Sequence, residues 1–290
     1  MTKLVIGCGY LGHRVARRWR VQGANVGVLT RSPQRGTELE QEGLTPTVGD
    51  VTDAASLGDL PACDAALYAV GFDRQAGPSM RTVYVDGLRN VLDALDGRVG
   101  RLIYISSTSV YGQTDGSLVD EDSPCEPAGE NGRICLDAEQ VLIEHRLAER
   151  ATILRLAGIY GPERLIRVDA LRRGEPIAAD PDGFLNLIHV DDAVRVVLAA
   201  AERVVSERVL LVADGQPTTR REFYEELARL VGAPAPTFTT PPADATRRAT
   251  TNKRVDTRRL RQALPIEIEY PDYCAGLGAI AAVYSRGARP

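Results

Sequence analysis

Glycines stand at positions 7, 9 and 12, in the string GCGYLG that follows the apolar run LVI and opens an amphipathic stretch. Spaced this way behind a strand, they suit the binding of a pyrophosphate. Gly7 permits a tight turn, Gly9 removes a Cβ so that backbone can approach the phosphates, and Gly12 lets helix and strand pack closely. Cys8, Tyr10 and Leu11 complete a loop whose N–H groups sit at a helix start, where orphan donors and the positive dipole end favour an anion. In this strand–turn–helix context the string predicts dinucleotide binding; the competing reading is a bare glycine turn. The end of the second strand reads VLTRS, with Thr30 and Arg31 where an acidic residue would bond an adenosine ribose. An arginine there suits a 2′-phosphate, so NADP is favoured over NAD, against the alternative of a solvated loop arginine. GDVTD places Asp50 and Val51 after the third strand. A carboxylate at that point accepts from an adenine amino group or closes a turn.

These residues need a scaffold that brings strand ends together. Short β-branched runs alternate with longer amphipathic stretches, the pattern of βαβ units and a mostly parallel sheet. Strands are read at Leu4 to Ile6, Asn25 to Leu29, Thr45 to Val48, Ala65 to Tyr68, Leu102 to Ser106 and Thr152 to Leu156, with helices from near Leu11, Pro33, Ala54, Met80 and Ile134. Val83, Leu88, Val91, Leu92 and Leu95 recur at helical spacing, which marks a core-facing helix. Beyond Gly161 the alternation weakens to a strand at Ile188 to Val190, a helix from Asp191 to Ala201, a strand at Val209 to Val212 and a helix from Thr218 to Leu230. The proline- and threonine-rich run 232–246 is read as a loop. The expected fold is α/β: a doubly wound, Rossmann-type sheet over 1–160, then a mixed region, 161–290, that completes the sheet at about 186–215 and forms a small C-terminal substrate lobe over the cleft.

Six motifs stand in order: GCGYLG, GDVTD, YAVG (68–71), ISSTSVYG (105–112), LRLAGIYGPER (154–164) and IHVDDAV (188–194). Together they resemble the extended short-chain dehydrogenase/reductase superfamily, in its NAD-dependent epimerase/dehydratase branch, over residues 3 to 200. The resemblance implies that Ala69 and Gly71 border the cofactor and that Thr108 polarises a substrate oxygen. It further implies a Tyr-x-x-x-Lys pair on the next helix. That helix reads NGRICLDAE, which registers without a gap through Gly132, Leu136 and Glu139, so the tyrosine position is Asn131 and the lysine position is Cys135. Asparagine does not exchange a proton at neutral pH, and cysteine supplies no fixed positive charge. An intact glycine loop with this altered helix resembles the superfamily's atypical members, as do TNKRVDTRRL and EYPDYCAGL within 251–277.

Few residues stand ready to replace the pair. Of 35 basic residues only Lys3 and Lys253 are lysines, the first opening a strand and the second in the C-terminal lobe. Arg133 carries charge but relays no proton. Tyr111 is a candidate acid, with a packing role as the alternative, and Cys135 is a reactive thiol only if its pKa is lowered, otherwise a buried inert one. His189 reads as a core histidine and Asp191 and Asp192 as caps of the following helix. Arg164 is a candidate contact for an acidic or phosphorylated substrate, or a salt-bridged loop residue.

Composition bounds the rest. A chain of 290 residues with 44% hydrophobic residues and a net charge of −4 builds a sizeable core and lacks the basic surface of a dedicated nucleic-acid binder. There is no apolar run long enough to span a membrane, and the chain opens straight into a strand, so the expected compartment is the cytoplasm. Cys8, Cys63, Cys125, Cys135 and Cys274, with His13, His145 and His189, show no metal-ligand spacing. The expected function is an NAD(P)-dependent oxidoreductase or epimerase/dehydratase-like protein acting on a small polar molecule such as a sugar-nucleotide-like compound. The alternative is a non-catalytic NADP-binding sensor. The resemblance also suggests a homodimer through the helices from Met80 to Leu95 and Ile134 to Leu147, whose outer faces carry Arg89, Asp93 and Arg146.

Overall fold

The computed structural model describes residues 1–165, 167–203, 205–240 and 251–287. Part of the loop read at 232–246 lies outside the described residues. Two compact units form: the first holds 1–110, 130–155 and 194–210, the second 111–129, 156–193 and 211–290. They interleave along the chain, whereas the sequence reading draws one boundary near 160. The chain leaves the first unit for the second at three places, past the end of β5 and within β7 and β12.

In the first unit the strands are β1 (Thr2–Ile6), β2 (Asn25–Thr30), β3 (Thr45–Val48), β4 (Ala65–Tyr68), β5 (Leu102–Ser107), β7 (Ala151–Leu156) and β12 (Val209–Val212). They line up in one sheet in the order β12-β7-β5-β4-β1-β2-β3. From β3 to β5 every pairing is parallel, with Ile6 of β1 opposite Leu29 of β2 and Tyr68 of β4. The order reverses at β1, between β2 and β4, which makes this the switch point at which a doubly wound sheet opens a crevice beyond its strand ends.

Helices α1 (Tyr10–Val21), α2 (Pro33–Gln41), α3 (Gly87–Leu95) and α4 (Glu130–Glu144) cover this sheet. The expected apolar face of α3 is buried throughout: Leu88, Val91, Leu92 and Leu95 pack into one core with Leu4, Ile6, Leu102 and Ile153. The helix expected from Met80 begins with a π-turn over Thr82–Asp86, and the one expected at Ala54 is only a 3-10 turn, Ala54–Leu57. Gly87 explains the close approach there, since a Cβ on it would press on the Val51 side chain at 2.8 Å. Arg89, Asp93 and Arg146 on the outer faces are held in ion pairs with Asp86, His145 and Asp96. Median surface pairs of this kind contribute about 0–1 kcal/mol.

The second unit is built from short pairings. β6 (Leu118–Val119) lies parallel to β15 (Arg254–Val255), β8 (Gly158–Tyr160) to β11 (Leu187–His189), and β9 (Ile177–Ala178) to β14 (Phe238–Thr239), while β10 (Phe184–Leu185) runs antiparallel to β13 (Thr218–Thr219). β11 therefore pairs outside the main sheet, and of the 186–215 region only β12 extends that sheet. β11 spans only three residues, Leu187–His189, and all three pair with β8. Helices α5 (Val168–Arg172), α7 (Arg220–Val231), α8 (Arg258–Ala263) and α9 (Tyr273–Gly287) belong here, and α6 (Val190–Glu202) starts here and ends in the first unit. Tyr160, Leu187, Phe223, Leu227, Leu277 and Ile280 form a separate core. Among the described residues no helix is long and apolar enough to cross a membrane, and no cluster of potential metal ligands occurs.

Candidate functional site

α1 starts at Tyr10 with Gly9 as its N-cap, and neither a side-chain cap nor an acidic residue closes that end. By contrast the Ser32 hydroxyl accepts from the Arg35 N–H at the start of α2, and Thr219 and Glu222 form a reciprocal capping box on α7. The open start of α1 thus leaves its donors and dipole for an external anion.

The four glycines here differ in what they border. Gly7 has φ +93°, and a Cβ on it would lie 2.5 Å from the Ala69 carbonyl and the Val70 nitrogen at the end of β4. A Cβ on Gly12 would collide with the Gly7 carbonyl oxygen. Packing inside the protein therefore demands glycine at both positions. Around Gly9 and Gly71 a Cβ would meet no protein atom within 4 Å. Those two face open space at the switch point, a cradle that side chains would fill, and the residues present fit a dinucleotide pyrophosphate.

Arg31, just past β2, is half exposed and lies 3.6 Å from Asp73 in an ion pair. Arg35 on α2 was not singled out from the sequence, yet its charge acts on the Cys8 thiol in the glycine loop and opposes the burial that pushes that thiol up to about 11. Cys8 is thus a neutral loop residue. The Thr30 hydroxyl accepts from the Ser32 N–H at 3.4 Å. Asp50 accepts from both the N–H and the hydroxyl of Thr52 through Oδ1, each at 2.8 Å. That bond closes the turn foreseen as its alternative role and engages a single carboxylate oxygen. Val51 is buried, and its carbonyl takes the Asn90 amide at 2.9 Å.

Thr108 begins the turn Thr108–Val110 directly after β5 and is half buried. The loop of Gly7 to Gly12, Thr30 and Arg31, Asp50 and Val51, Ala69 and Gly71, and Thr108 accordingly all follow the ends of neighbouring parallel strands. On α4, Asn131 is exposed in the first turn and Cys135 is buried one turn later. Burial pushes the Cys135 thiol above its ordinary range, against a hydrogen bond with Ser109. This is the inert alternative, because the thiolate is the nucleophile. Arg133 is exposed on the same helix.

Beneath these positions lies an ion pair that the sequence did not reveal. Glu139, 1% exposed, takes Arg155 in a two-pronged bond at 3.0 Å (Nε to Oε1) and 2.7 Å (Nη2 to Oε2), and also accepts from the Ser106 hydroxyl. It ties α4 to β5 and β7.

Tyr111 and Arg164 belong to the second unit. Tyr111 is fully buried, which favours its packing role, and Arg164 is exposed on a turn where its N–H bonds the Gly161 carbonyl. His189 is a core histidine as expected: it is 2% exposed, its ring lies against Tyr160 and Tyr270, and its Nδ1 accepts from the Asp191 N–H. α6 starts at Val190, so Asp191 and Asp192 stand in its first turn rather than as the expected caps, and Asp192 has a different task. Its fully buried carboxylate accepts the N–H groups of Glu269 and Tyr270, at 2.8 and 2.9 Å, and so anchors a distant stretch of chain.

Asp214, after β12, is buried with its Oδ2 lacking a hydrogen-bond partner. Burial, reinforced by the charges of Asp272 and Asp192, pushes its carboxyl from 3.8 to about 7. Between those pH values the folded chain keeps a proton that the unfolded chain has released, so this group lowers stability as pH rises through the window. Asp214→Asn is expected to flatten that fall and to raise the urea midpoint at pH 8. An unchanged slope contradicts the assignment. Asp214 also lines a hollow of about 240 Å³ with Thr257, Leu260 and Arg261, and a second of about 350 Å³ lies between Thr218, Glu222 and Tyr273.

With the geometry in place, comparison with known proteins identifies the family. The NAD dependent epimerase/dehydratase family matches residues 4–213. Protein YeeZ of Escherichia coli K12 is 29% identical over 275 residues, covering 92% of this chain and 96% of its own. The 3-diazoavenalumate denitrifying reductase of a Streptomyces species is 28% identical, covering 96% and 99%. Among solved structures, a conserved protein of unknown function from Silicibacter pomeroyi superposes with a TM-score of 0.80 at 28% identity, covering 97% and 98%. The match over most of the chain, the switch-point glycine loop and the altered α4 lead to one conclusion: the chain belongs to the NAD-dependent epimerase/dehydratase family, as an atypical member of the extended short-chain dehydrogenase/reductase superfamily.

Proposed function

We propose that the chain is an NADP-dependent oxidoreductase or epimerase-like enzyme that acts on a small polar carbonyl or hydroxyl compound such as a sugar nucleotide. The observation that carries this reading is the open cradle at Gly9 and Gly71 before the uncapped start of α1, with the charge of Arg35 acting on Cys8 in the same loop. Backbone N–H groups from Cys8 to Gly12 bind the pyrophosphate, and the Arg31 guanidinium turns from Asp73 to a 2′-phosphate, for which its fork geometry suits. The free oxygen of Asp50 accepts from the adenine. When bound, the nicotinamide supplies or takes a hydride. The Thr108 hydroxyl orients the oxygen on the reacting carbon. The family's dinucleotide chemistry and the full-length similarity to a reductase support the same reading.

Reduced dinucleotide consumption with a panel of small ketones, aldehydes and keto-sugars tests it. Wild type is expected to turn over at least one of them, and Thr108→Val to lower kcat/KM by about 10²-fold, the usual loss of one donor to a developing oxyanion, with dinucleotide affinity unchanged. Undiminished turnover by that variant removes Thr108 from the site. A second reading, a dinucleotide-binding protein without turnover, is favoured by the exposed Asn131 and the buried, high-pKa Cys135. Tight binding with no turnover across the panel would select it, and activity gained by Asn131→Tyr with Cys135→Lys would show that only the chemistry had been lost.

A further inference from the structure

Asp214 carries a carboxylate oxygen that the second unit leaves unsatisfied. The residue is 7% exposed; its Oδ1 accepts from the Gln216 N–H at 2.9 Å, while its Oδ2 has no hydrogen-bond partner. A buried polar oxygen without a partner costs stability and is uncommon in folded proteins. Charges of the same sign add to the cost here, since Asp272 and the fully buried Asp192 both act on this carboxyl and, with burial, push it up to about 7. The charge missing beside it is positive, and among the described residues no cationic side chain bonds Oδ2.

Asp214 forms part of the wall of the hollow of about 240 Å³, and a group of opposite charge stands on another part of that wall. Arg261 of α8 is exposed, and its Nη2 donates to the Thr257 hydroxyl at 3.0 Å rather than to a carboxylate. The Asp256 carboxylate, which feels the charge of Arg261, is itself paired with Arg258 at 2.6 Å. Gly215 keeps the two parts of the wall close. At its φ of +87° a Cβ would lie 2.8 Å from the Thr257 hydroxyl and 3.1 Å from Arg261 Nη2. The neighbour of Asp214 is thus within contact range of the guanidinium, yet no ion pair joins Asp214 to Arg261. The remaining lining is aliphatic, from Leu260, Ile266, Ile268 and Pro271. The stretch that carries the last three is fastened by Asp192, which accepts the N–H groups of Glu269 and Tyr270, so the hollow has a fixed wall. Apolar walls with a few convergent polar groups are the make-up of a small-molecule site, and this volume suits a molecule smaller than a drug.

The charges select the ligand. An anion alone would face Asp214, Asp192 and Asp272, and a cation alone would face Arg261. A molecule that bears both charges close together, on an aliphatic body, matches every wall. We propose that this hollow binds a small aliphatic α-amino acid, its ammonium donating to Asp214 Oδ2, its carboxylate received by Arg261 and the Thr257 hydroxyl, and its side chain lying against Leu260, Ile266 and Ile268. The fork of the guanidinium suits a carboxylate, and a charge-assisted bond at each end holds the molecule in one orientation. All these residues belong to the second unit, so the site stands whether or not the oxidoreductase reading does.

Titration calorimetry of the full chain with L-valine and L-leucine, alongside thermal melts, tests this. At least one of the two is expected to bind once per chain with a Kd below about 1 mM and to raise the melting temperature. 3-Methylbutylamine and 4-methylpentanoate, which are leucine without its carboxylate and without its amine, are each expected to bind weaker by about tenfold or more, the loss of one charge-assisted bond. The isosteric Asp214→Asn and the variant Arg261→Met are expected to weaken amino-acid binding by about the same factor, without lowering the melting temperature of the ligand-free chain. Arg261 is exposed, so its variant reports on binding however Asp214→Asn folds. No binding of either amino acid at concentrations well above the expected Kd overturns the proposal. Binding of the amine or the acid alone as tightly as of the amino acid overturns it too, as does undiminished binding by Arg261→Met.

Discussion

Gly9→Val is expected to unfold at the wild-type temperature and to lose dinucleotide binding by at least about a hundredfold, about 3 kcal/mol, while Gly12→Val is expected to unfold well below it. The contrast follows from what a Cβ meets. At Gly9 it meets no protein atom within 4 Å, so the folded chain has room for a valine and only a bound phosphate would be displaced. At Gly12 it meets the Gly7 carbonyl oxygen, part of a turn that cannot move without disturbing β1 and β4. Overpacking against fixed backbone costs about 1–3 kcal/mol or more. Thermal melts paired with dinucleotide titrations separate the two effects. If Gly9→Val melts early, or binds as the wild type does, the cradle has been placed wrongly.

Arg155→Met is expected to destabilise the fold by about 3–5 kcal/mol, and Glu139→Leu combined with Arg155→Met by far less. Removing the guanidinium alone strands the Glu139 carboxylate, 1% exposed, with only the Ser106 hydroxyl for company. Removing both charges leaves one hydroxyl to satisfy and restores apolar packing between α4, β5 and β7. Urea midpoints at pH 7 measure this. Equal losses for the single and double variants would mean that the side chains pack there without needing each other's charge. The pair matters to the site because it fixes α4, which carries Asn131 and Cys135, against β5, the strand that ends just before Thr108.

How much of this was readable in the chain depends on the range of the interactions. The glycine loop was legible because its requirements are local: a turn, an approach and a helix start within six consecutive residues. Most strands of the sheet were legible because parallel strands buried on both faces are continuous apolar runs, the exposed edge strand β3 being the exception, and the observed ends agree within about two residues. The extent of the second unit was not legible, since its strands are two or three residues long and are fixed by partners far along the chain, as β6 is by β15. The same holds for single residues. Nothing near Asp192 says that it receives the N–H groups of Glu269 and Tyr270, and nothing near Lys253 says that it bonds the Tyr111 carbonyl.

Calorimetric titration of the purified chain with NADPH, NADP⁺, NADH and NAD⁺, repeated with Arg31→Ala, tests the central claim most directly. The account predicts one dinucleotide per chain, micromolar binding of the phosphorylated forms, weaker binding of the others, and a loss of that preference in the variant. Absence of binding by all four would make the glycine loop a purely structural turn and would contradict the account at its root.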